Sequence, residues 1–479
     1  MTPTQSSAES SDPSQAGTFG PDQAAELVAS VRAVFDSGRT RDLDWRQAQL
    51  EGLIRFLDTE EEALLEAMAV DMAKPRAEAW AADIGTTRGE VEYLAGQFRS
   101  WARPRRVRLP VAFRPGRGRV DPQPKGVALV IAPWNYPVQL VIEPLAAALA
   151  AGNAVVVKPS ELAPATAAVL AGRLSSYIDP DAVRVVEGGV PETTALLRQR
   201  FDHIFFTGST AVGKVVMRAA AEHLTPVTLE LGGKSPVVVD RSADLRITAR
   251  RIVWGKFLNA GQTCIAPDYV LVENTVRDEL LDRMVREIGS FYGRDPESSG
   301  SYARVVNERH LARLTSLLAG EGSGRVVTGG KVDPGERYLA PTIVVDPDPD
   351  SPLMTEEIFG PILPVLGVED VDEAIAFVNS RERPLALYVF TAREAIRDRV
   401  LGSTISGGAC VNHTLLHVAP SGLPFGGVGP SGMGSYHGRA GFDEFSHHRS
   451  IMIRPFKPDV RLLYPPYNTL KEKLLRRFL

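Results

Sequence analysis

The chain has 479 residues, of which 44% are hydrophobic and 23% charged, with a formal net charge of −4. That length is more than one core holds and predicts two or three domains, while the mildly acidic balance offers nothing to nucleic acid. Two cysteines cannot build a disulfide framework and suit a reducing compartment, and the absence of Cys-x-x-Cys and His-Glu-x-x-His spacings leaves no metal site implied.

Residues 1–20 are rich in Ser, Thr, Gln and Pro, with neither a basic start nor an apolar run, and read as a disordered tail rather than a signal peptide. No stretch has the length and apolarity of a membrane span. Between residues 21 and 101 apolar side chains recur at helical spacing. The first set is Ala25, Leu27, Val28, Val31 and Phe35, behind Asp22 as a cap. Others are Leu53, Ile54 and Leu57, then Leu64, Leu65, Met68 and Val70, then Val91, Leu94 and Phe98. These are packing faces. The period then changes. Val107, Leu109, Val111 and Phe113 alternate with Arg108, Pro110, Ala112 and Arg114, which predicts a strand turned at Pro115-Gly116. Arg117-Gly118-Arg119-Val120 returns as its partner. A two-stranded arm is not stable alone and must pack on another domain or subunit.

From residue 126 to 231 apolar strands alternate with helices. The strands are Val127-Ala128-Leu129-Val130-Ile131, Ala154-Val155-Val156-Val157, Val183-Arg184-Val185-Val186, His203-Ile204-Phe205-Phe206 and Pro226-Val227-Thr228-Leu229. One intervening helix covers 138–150 and ends at Gly152. This pattern predicts a parallel sheet covered on both faces, with ligands at the carboxyl ends of its strands. The unusual residues fall there. Pro133-Trp134-Asn135-Tyr136-Pro137 follows the first strand and Lys158-Pro159-Ser160-Glu161 the second. Thr207-Gly208-Ser209-Thr210 follows the fourth, and Glu230-Leu231-Gly232-Gly233-Lys234 the fifth. No Gly-x-Gly-x-x-Gly is present. Gly208 to Lys214 comes close to a P-loop, but Val215 replaces the hydroxyl that would hold magnesium. Gly233-Lys234-Ser235 has Thr228 where the first glycine belongs, so an ATPase is only a weak alternative. What remains is a helix opened by glycine, able to hold a phosphate or to serve as a plain turn.

A second α/β region runs from 235 to about 427 and contains Cys264. An apolar helical segment, 252–258, ends at Asn259 and Gly261, and a strand follows at Tyr269-Val270-Leu271-Val272. The thiol therefore sits at the rim of a core. A lone cysteine is most often a small buried hydrophobe; as a nucleophile it needs a base, an oxyanion donor and an electron acceptor from elsewhere. Residues 356–361 read as a loop. The glycine-dense stretch 424–441 reads as a packed, tightly turning segment because Phe425, Met433, Phe442 and Phe445 punctuate it. His447-His448 reads as a surface pair.

In chain order, these motifs resemble the aldehyde dehydrogenase superfamily over nearly the whole chain beyond the tail. They are the four strand-end stretches with Gly213, then Gly261-Gln262-Thr263-Cys264, Glu357-Ile358-Phe359-Gly360-Pro361 and Pro424-Phe425-Gly426-Gly427. The wording around Cys264 through Asp268-Tyr269, and Ser431-Gly432-Met433-Gly434-Ser435-Tyr436-His437-Gly438, is similar to the class 3 branch, which includes fatty-aldehyde and coniferyl-aldehyde dehydrogenases. The resemblance implies an α/β fold with a Rossmann-like cofactor domain (21–106 and 126–230) and an α/β catalytic domain (231–428). It adds a small β oligomerisation arm (107–125 and 429–456) and a C-terminal tail helix (457–479).

The resemblance also implies roles. Cys264 attacks the aldehyde carbon from a site that stabilises its thiolate. The Asn135 amide and the Cys264 backbone N–H hold the oxyanion. Hydride passes to nicotinamide, leaving a thioester. Glu230, expected to be ionised with a carboxylate pKa near ~4.3, activates the water that hydrolyses it. Lys158 and Glu161 would bind the adenosine ribose, Gly208 and Ser209 the pyrophosphate, and Glu357 the nicotinamide ribose, with Phe359 beside the ring and Gly213 also in the cofactor-binding set. Glu161 should repel a ribose 2′-phosphate, but the branch uses both cofactors, so NAD or NADP is implied. Tyr136, Leu140, Trp254 and His437 would line a tunnel for apolar aliphatic or aromatic aldehydes. A cytoplasmic homodimer without metal or transmembrane segment completes the expectation. The tail from residue 449 is basic; a packed terminal helix is preferred over one that shields the entrance or touches a membrane surface. Two competing readings are an acylating enzyme using coenzyme A and a non-catalytic binding protein on the same scaffold. Glu230 argues against the first, and Cys264, Asn135 and Glu230 together against the second.

Overall fold

The computed structural model describes residues 19–459 and 461–478. The tail expected over 1–20 lies outside the described residues except for Phe19 and Gly20. The first helix, Pro21–Asp36, starts with proline at its first position, so Gly20 takes the cap position and Asp22 lies in the first turn. Helices Leu43–Thr59, Glu61–Met72 and Thr86–Trp101 follow the predicted apolar spacing, although Val70 points to solvent.

All five strands of the first α/β region form: Val127–Ile131, Ala154–Lys158, Val183–Val185, His203–Thr207 and Val227–Glu230. They pair in parallel, with Val127–Ile131 between His203–Thr207 and Ala154–Lys158. Val127, Leu129 and Ile131 pack with Val28, Val31 and Phe35 of the first helix and Val216 of Thr210–Ala221. Ala128 and Val130 pack on the other face with Leu53, Val91 and the wholly buried helix Gln139–Ala151. Two covered faces explain why these strands are apolar at every position.

A sixth strand, Gly432–Met433, pairs antiparallel with Val227–Glu230 and sets Gly432 opposite Glu230. The segment 429–456 therefore does not belong wholly to the arm, because its first residues close the cofactor-side sheet. Gly432 has φ +147°, and a Cβ there would lie 2.4 Å from the Leu229 carbonyl oxygen, so only glycine permits the approach. Phe425, Phe442 and Phe445 are buried as expected of a packed segment, but Met433 is partly exposed.

The second sheet has seven strands, in the order Arg325–Thr328, Thr342–Val345, Ile362–Val368, Tyr269–Glu273, Pro236–Val239, Ala386–Phe390 and Gly408–Val411. Arg325–Thr328 pairs antiparallel and the rest parallel. A third sheet of Arg105–Val107, Arg117–Pro124 and Ser446–Ile453 is antiparallel. The strand expected over 107–113 does not form. Pairing stops at Val107 and Val111–Phe113 is a 3₁₀ turn. Pro110 has no N–H to give a ladder, and Val111, 77% exposed, has no face to bury.

The terminal helix Thr469–Phe478 forms, but none of its described side chains is buried, which corrects the packed reading. Its leucines are interleaved with Lys471, Lys473, Arg476 and Arg477; Lys471 Nζ donates to the Tyr464 and Pro466 carbonyls and Arg476 pairs with Glu472. No helix among the described residues is long and apolar enough to cross a membrane.

Candidate active site

Cys264 sits beyond a strained turn. Helix Leu245–Phe257 gives way to Asn259 and Ala260, both at φ 51°, and Gly261 at φ 74°. Left-handed backbone costs a non-glycine residue about 1–2 kcal/mol, so the surroundings must enforce it. They do so through buried polar contacts. Asn259 N–H donates to Glu78 Oε2 (3.0 Å), and Asn259 Nδ2 donates to the carbonyls of Asn135 (2.9 Å) and Gln262 (3.2 Å). Gln262 Nε2 donates to the Asn259 and Arg304 carbonyls, and its Oε1 accepts from Val306 N–H. A Cβ on Gly261 would stand 2.3 Å from the Gly360 carbonyl oxygen. Gly261→Ala should therefore cost roughly 2–3 kcal/mol, read as a lower denaturant midpoint; an unchanged midpoint would show that the turn relaxes freely.

Cys264 stands where two cavities meet, one of about 280 Å³ and one of about 430 Å³. Leu140, Cys264, Phe425 and Tyr436 line both. The smaller cavity brings together Asn135, Gly208, Ser209, Glu230, Glu357 and Phe359 around the thiol. Asn135 is 2% exposed, and its Nδ2 donates to the Gln262 carbonyl at 3.1 Å.

Two protonation expectations are overturned. The Cys264 thiol is pushed up to about 12, first by burial and then by Glu357 and Glu230, so no side chain here stabilises a thiolate. Glu230, at the end of Val227–Glu230, is 3% exposed, and neither carboxylate oxygen has a hydrogen-bond partner among the described residues. Burial, followed by Glu444, raises its carboxyl well above the usual range. Its proton is therefore held more tightly than on an ordinary carboxyl, and the basic form grows as pH rises.

Glu357 lies against Gly232, where a Cβ would be 2.1 Å from its Oε2. Burial and then Asp268 raise its pKa to about 7. The loop bearing it is tied down by Arg313, whose guanidinium donates to the carbonyls of Glu357 (3.1 Å) and Ile358 (2.5 Å). Lys234 bonds Asp268 and the Glu356 carbonyl. Phe359, at φ 47°, meets Trp134 edge-on with centroids 5.4 Å apart. His310 and Arg313, on helix Glu308–Ala319, complete this wall. Sequence reasoning missed both, because an amphipathic repeat does not reveal which polar residue of a helix faces a cleft.

Ser209 caps helix Thr210–Ala221 by accepting from Val212 N–H. Gly213 is not at the cavity. Its absent side chain makes room for Leu231, whose Cδ2 would be 2.7 Å from a Cβ, so it serves helix–strand packing. Lys158 and Glu161 also lie beyond the residues lining this cavity. Buried Lys158 donates to the Pro159 (2.6 Å) and Gly188 (2.5 Å) carbonyls and pairs with Glu161 at 3.3 Å.

The larger cavity is walled by Tyr136, Leu140, Trp254, Ile265 and Leu415, with Glu78 as a carboxyl among them. Tyr136 Oη and Thr263 Oγ1 are 2.6 Å apart. His437 is not a wall residue. It is 4% exposed and its Nε2 lies 3.1 Å from Glu143 Oε2, a buried partner that turns the ring away from the cavity.

Cys264 thus lies between two cavities, with the Asn135 amide and the Glu230 carboxyl on the side where a helix N-terminus opens. The model of the aldehyde dehydrogenase family matches residues 7–451, and the chain belongs to that family, on its class 3-like branch. It is an NAD(P)-dependent aldehyde-oxidising enzyme. The chain is 48% identical to aldehyde dehydrogenase family 3 member A2 of Mus musculus over 454 residues, covering 94% of this chain and 93% of that one. It is 45% identical to the dimeric NADP-preferring aldehyde dehydrogenase of Canis lupus familiaris, covering 92% and 97%. The substrate-bound structure of AldH from Staphylococcus aureus superposes with a TM-score of 0.91 at 42% identity, covering 95% and 98%.

Proposed function

We propose that the enzyme converts apolar aldehydes to carboxylic acids through a thioester on Cys264. The observation that carries this reading is the position of Cys264 between an apolar cavity and a second one holding Asn135 and Glu230. Cys264 Sγ adds to the aldehyde carbon, the C=O π bond opens onto oxygen, and the thiol proton passes to solvent. The Asn135 amide donates to the oxygen as it becomes anionic. The smaller cavity would take the nicotinamide end of a dinucleotide: Thr207 Oγ1 and Glu357 Oε1 are buried there without partners among the described residues, behind the helix opened at Gly208-Ser209. When bound, its nicotinamide supplies the two-electron acceptor for the step that turns the adduct into a thioester. Glu230 then takes a proton from water as the water oxygen bonds to the acyl carbon; the C–S bond breaks, the Cys264 thiolate is the leaving group, and the acid departs. Residues 21–106 and 126–230 with Gly432–Met433 would form the cofactor side, and 231–428 the catalytic side.

The test is to mix enzyme with hexanal or benzaldehyde and either dinucleotide, quench early, and look by mass spectrometry for an acyl group on Cys264. Absence of that adduct while acid accumulates would sink the mechanism. Adding coenzyme A separates the runner-up. Acid alone fits a Glu230-assisted hydrolysis, whereas acyl-coenzyme A would favour transfer.

Cofactor preference should respond to Glu161. We place Lys158 and Glu161 at the adenosine ribose, where the carboxylate opposes a 2′-phosphate. Glu161→Gln should raise kcat/KM with NADP relative to NAD by about tenfold; an unaltered ratio would remove Glu161 from that position. We also read the chain as a cytoplasmic homodimer joined through the three-stranded sheet, in keeping with its unpaired cysteines and the dimeric relative. Light scattering would check the dimer.

A further inference from the structure

We propose that Lys74 and Asp83 are a positioning pair that fixes the main chain carrying the Asn135 amide; this rests on the reading of Asn135 as oxyanion donor. Both side chains are 0% exposed, and Lys74 Nζ lies 2.6 Å from Asp83 Oδ2. The same ammonium donates to the Asn135 carbonyl at 2.9 Å and stands 4.0 Å from the centroid of the Tyr136 ring. Asp83 Oδ1 accepts from the backbone N–H groups of Val138 (3.2 Å) and Gln139 (3.3 Å), where helix Gln139–Ala151 begins. One ion pair thus grips the turn 135–139 at both ends. The Asn135 carbonyl also receives Asn259 Nδ2, so the pair and the nucleophile's turn converge on one peptide group.

The elements that supply the pair both depart from regular helix. Ala73, the residue before Lys74, ends helix Glu61–Met72 at φ 47°. Asp83 lies in a π-helical turn, Trp80–Gly85, between two α-helical segments. Such turns are rare and recur at functional sites. A buried ion pair contributes little to net stability, because desolvation of both charges offsets their attraction. Geometry is what this one supplies. The Gln262 carbonyl orients the amide group itself, whereas Lys74 and Asp83 set the backbone from which it projects. An oxyanion donor must meet charge at a defined place, and displacement by about 1 Å costs on the order of a hundredfold in rate.

The test uses the full-length enzyme with NAD and hexanal, and reads the rate of the first-turnover burst of reduced nicotinamide. Lys74→Met/Asp83→Leu removes both charges together and leaves neither unpaired. Its burst should slow by about ten- to a hundredfold, with the NAD dissociation constant and Cys264 alkylation by iodoacetamide unchanged. In an Asn135→Ala background the same double replacement should slow the burst no further, a non-additivity that a merely structural role would not produce. If the double variant does not fold, isosteric Asp83→Asn replaces it, with a severalfold slower burst expected. A wild-type burst in a folded variant, or full additivity with Asn135→Ala, overturns the proposal. A wild-type burst in Asn135→Ala alone instead overturns the oxyanion assignment.

Discussion

Cys264→Ala is expected to lower kcat/KM for aldehydes by about four orders of magnitude or more, with dinucleotide binding retained. The cavity that Cys264 shares with Glu357 and Phe359 keeps its other walls when the thiol is lost, so fluorescence titration with NAD should give the wild-type dissociation constant. The wild-type thiol carries a further signature. Burial and the two neighbouring carboxyls push it to about 12, so it is protonated in the cofactor-free enzyme at neutral pH. Alkylation by iodoacetamide should then be slow at pH 7 and rise about tenfold per pH unit, following the thiolate fraction. A pH-independent, fast alkylation would mean that some group holds the anion ready before any ligand arrives. Activity surviving in Cys264→Ala would remove it as nucleophile.

Glu230→Gln should separate the two halves of the reaction. A burst of reduced nicotinamide forms as in wild type, then turnover falls by about 10²–10⁴-fold, and the acyl group stays on Cys264 long enough to be weighed. The sign of the pH dependence follows from burial. The Glu230 carboxyl is raised well above the ordinary range, so its basic form grows as pH increases and hydrolysis should quicken with rising pH. The Gln variant should lose that rise. If its steady-state rate and pH profile match wild type, another group activates the water.

How much of this was written in the sequence differs from residue to residue. The five apolar strands and the stretches after them were legible because parallel strands buried on both faces must be apolar throughout, and their carboxyl ends must carry the polar work. Asn135, Gly208, Ser209 and Glu230 all fall at such ends. The raised pKa of Glu230 was not legible, because an isolated carboxylate pattern says nothing about having no partner at 3% exposure. Lys74, Glu78 and Asp83 lay within a run that reads as packing helices, and no 3.6-residue period anticipates the π turn at Trp80–Gly85. His437 was misplaced for a related reason. Its motif fixes its neighbourhood, while Glu143, far away in sequence, decides where the ring points. The arm strand failed locally, where alternation over 107–113 outvoted the proline at its centre.

The strand Gly432–Met433 has a consequence for how the polypeptide is made. It closes the sheet edge beside Glu230, yet it emerges from the ribosome long after the strand it covers. Until then Val227–Glu230 presents bare N–H and C=O groups, the kind of edge that recruits foreign strands. That edge is therefore capped only once Gly432–Met433 has been made, and a chain clipped between the two strands would leave it open to foreign strands.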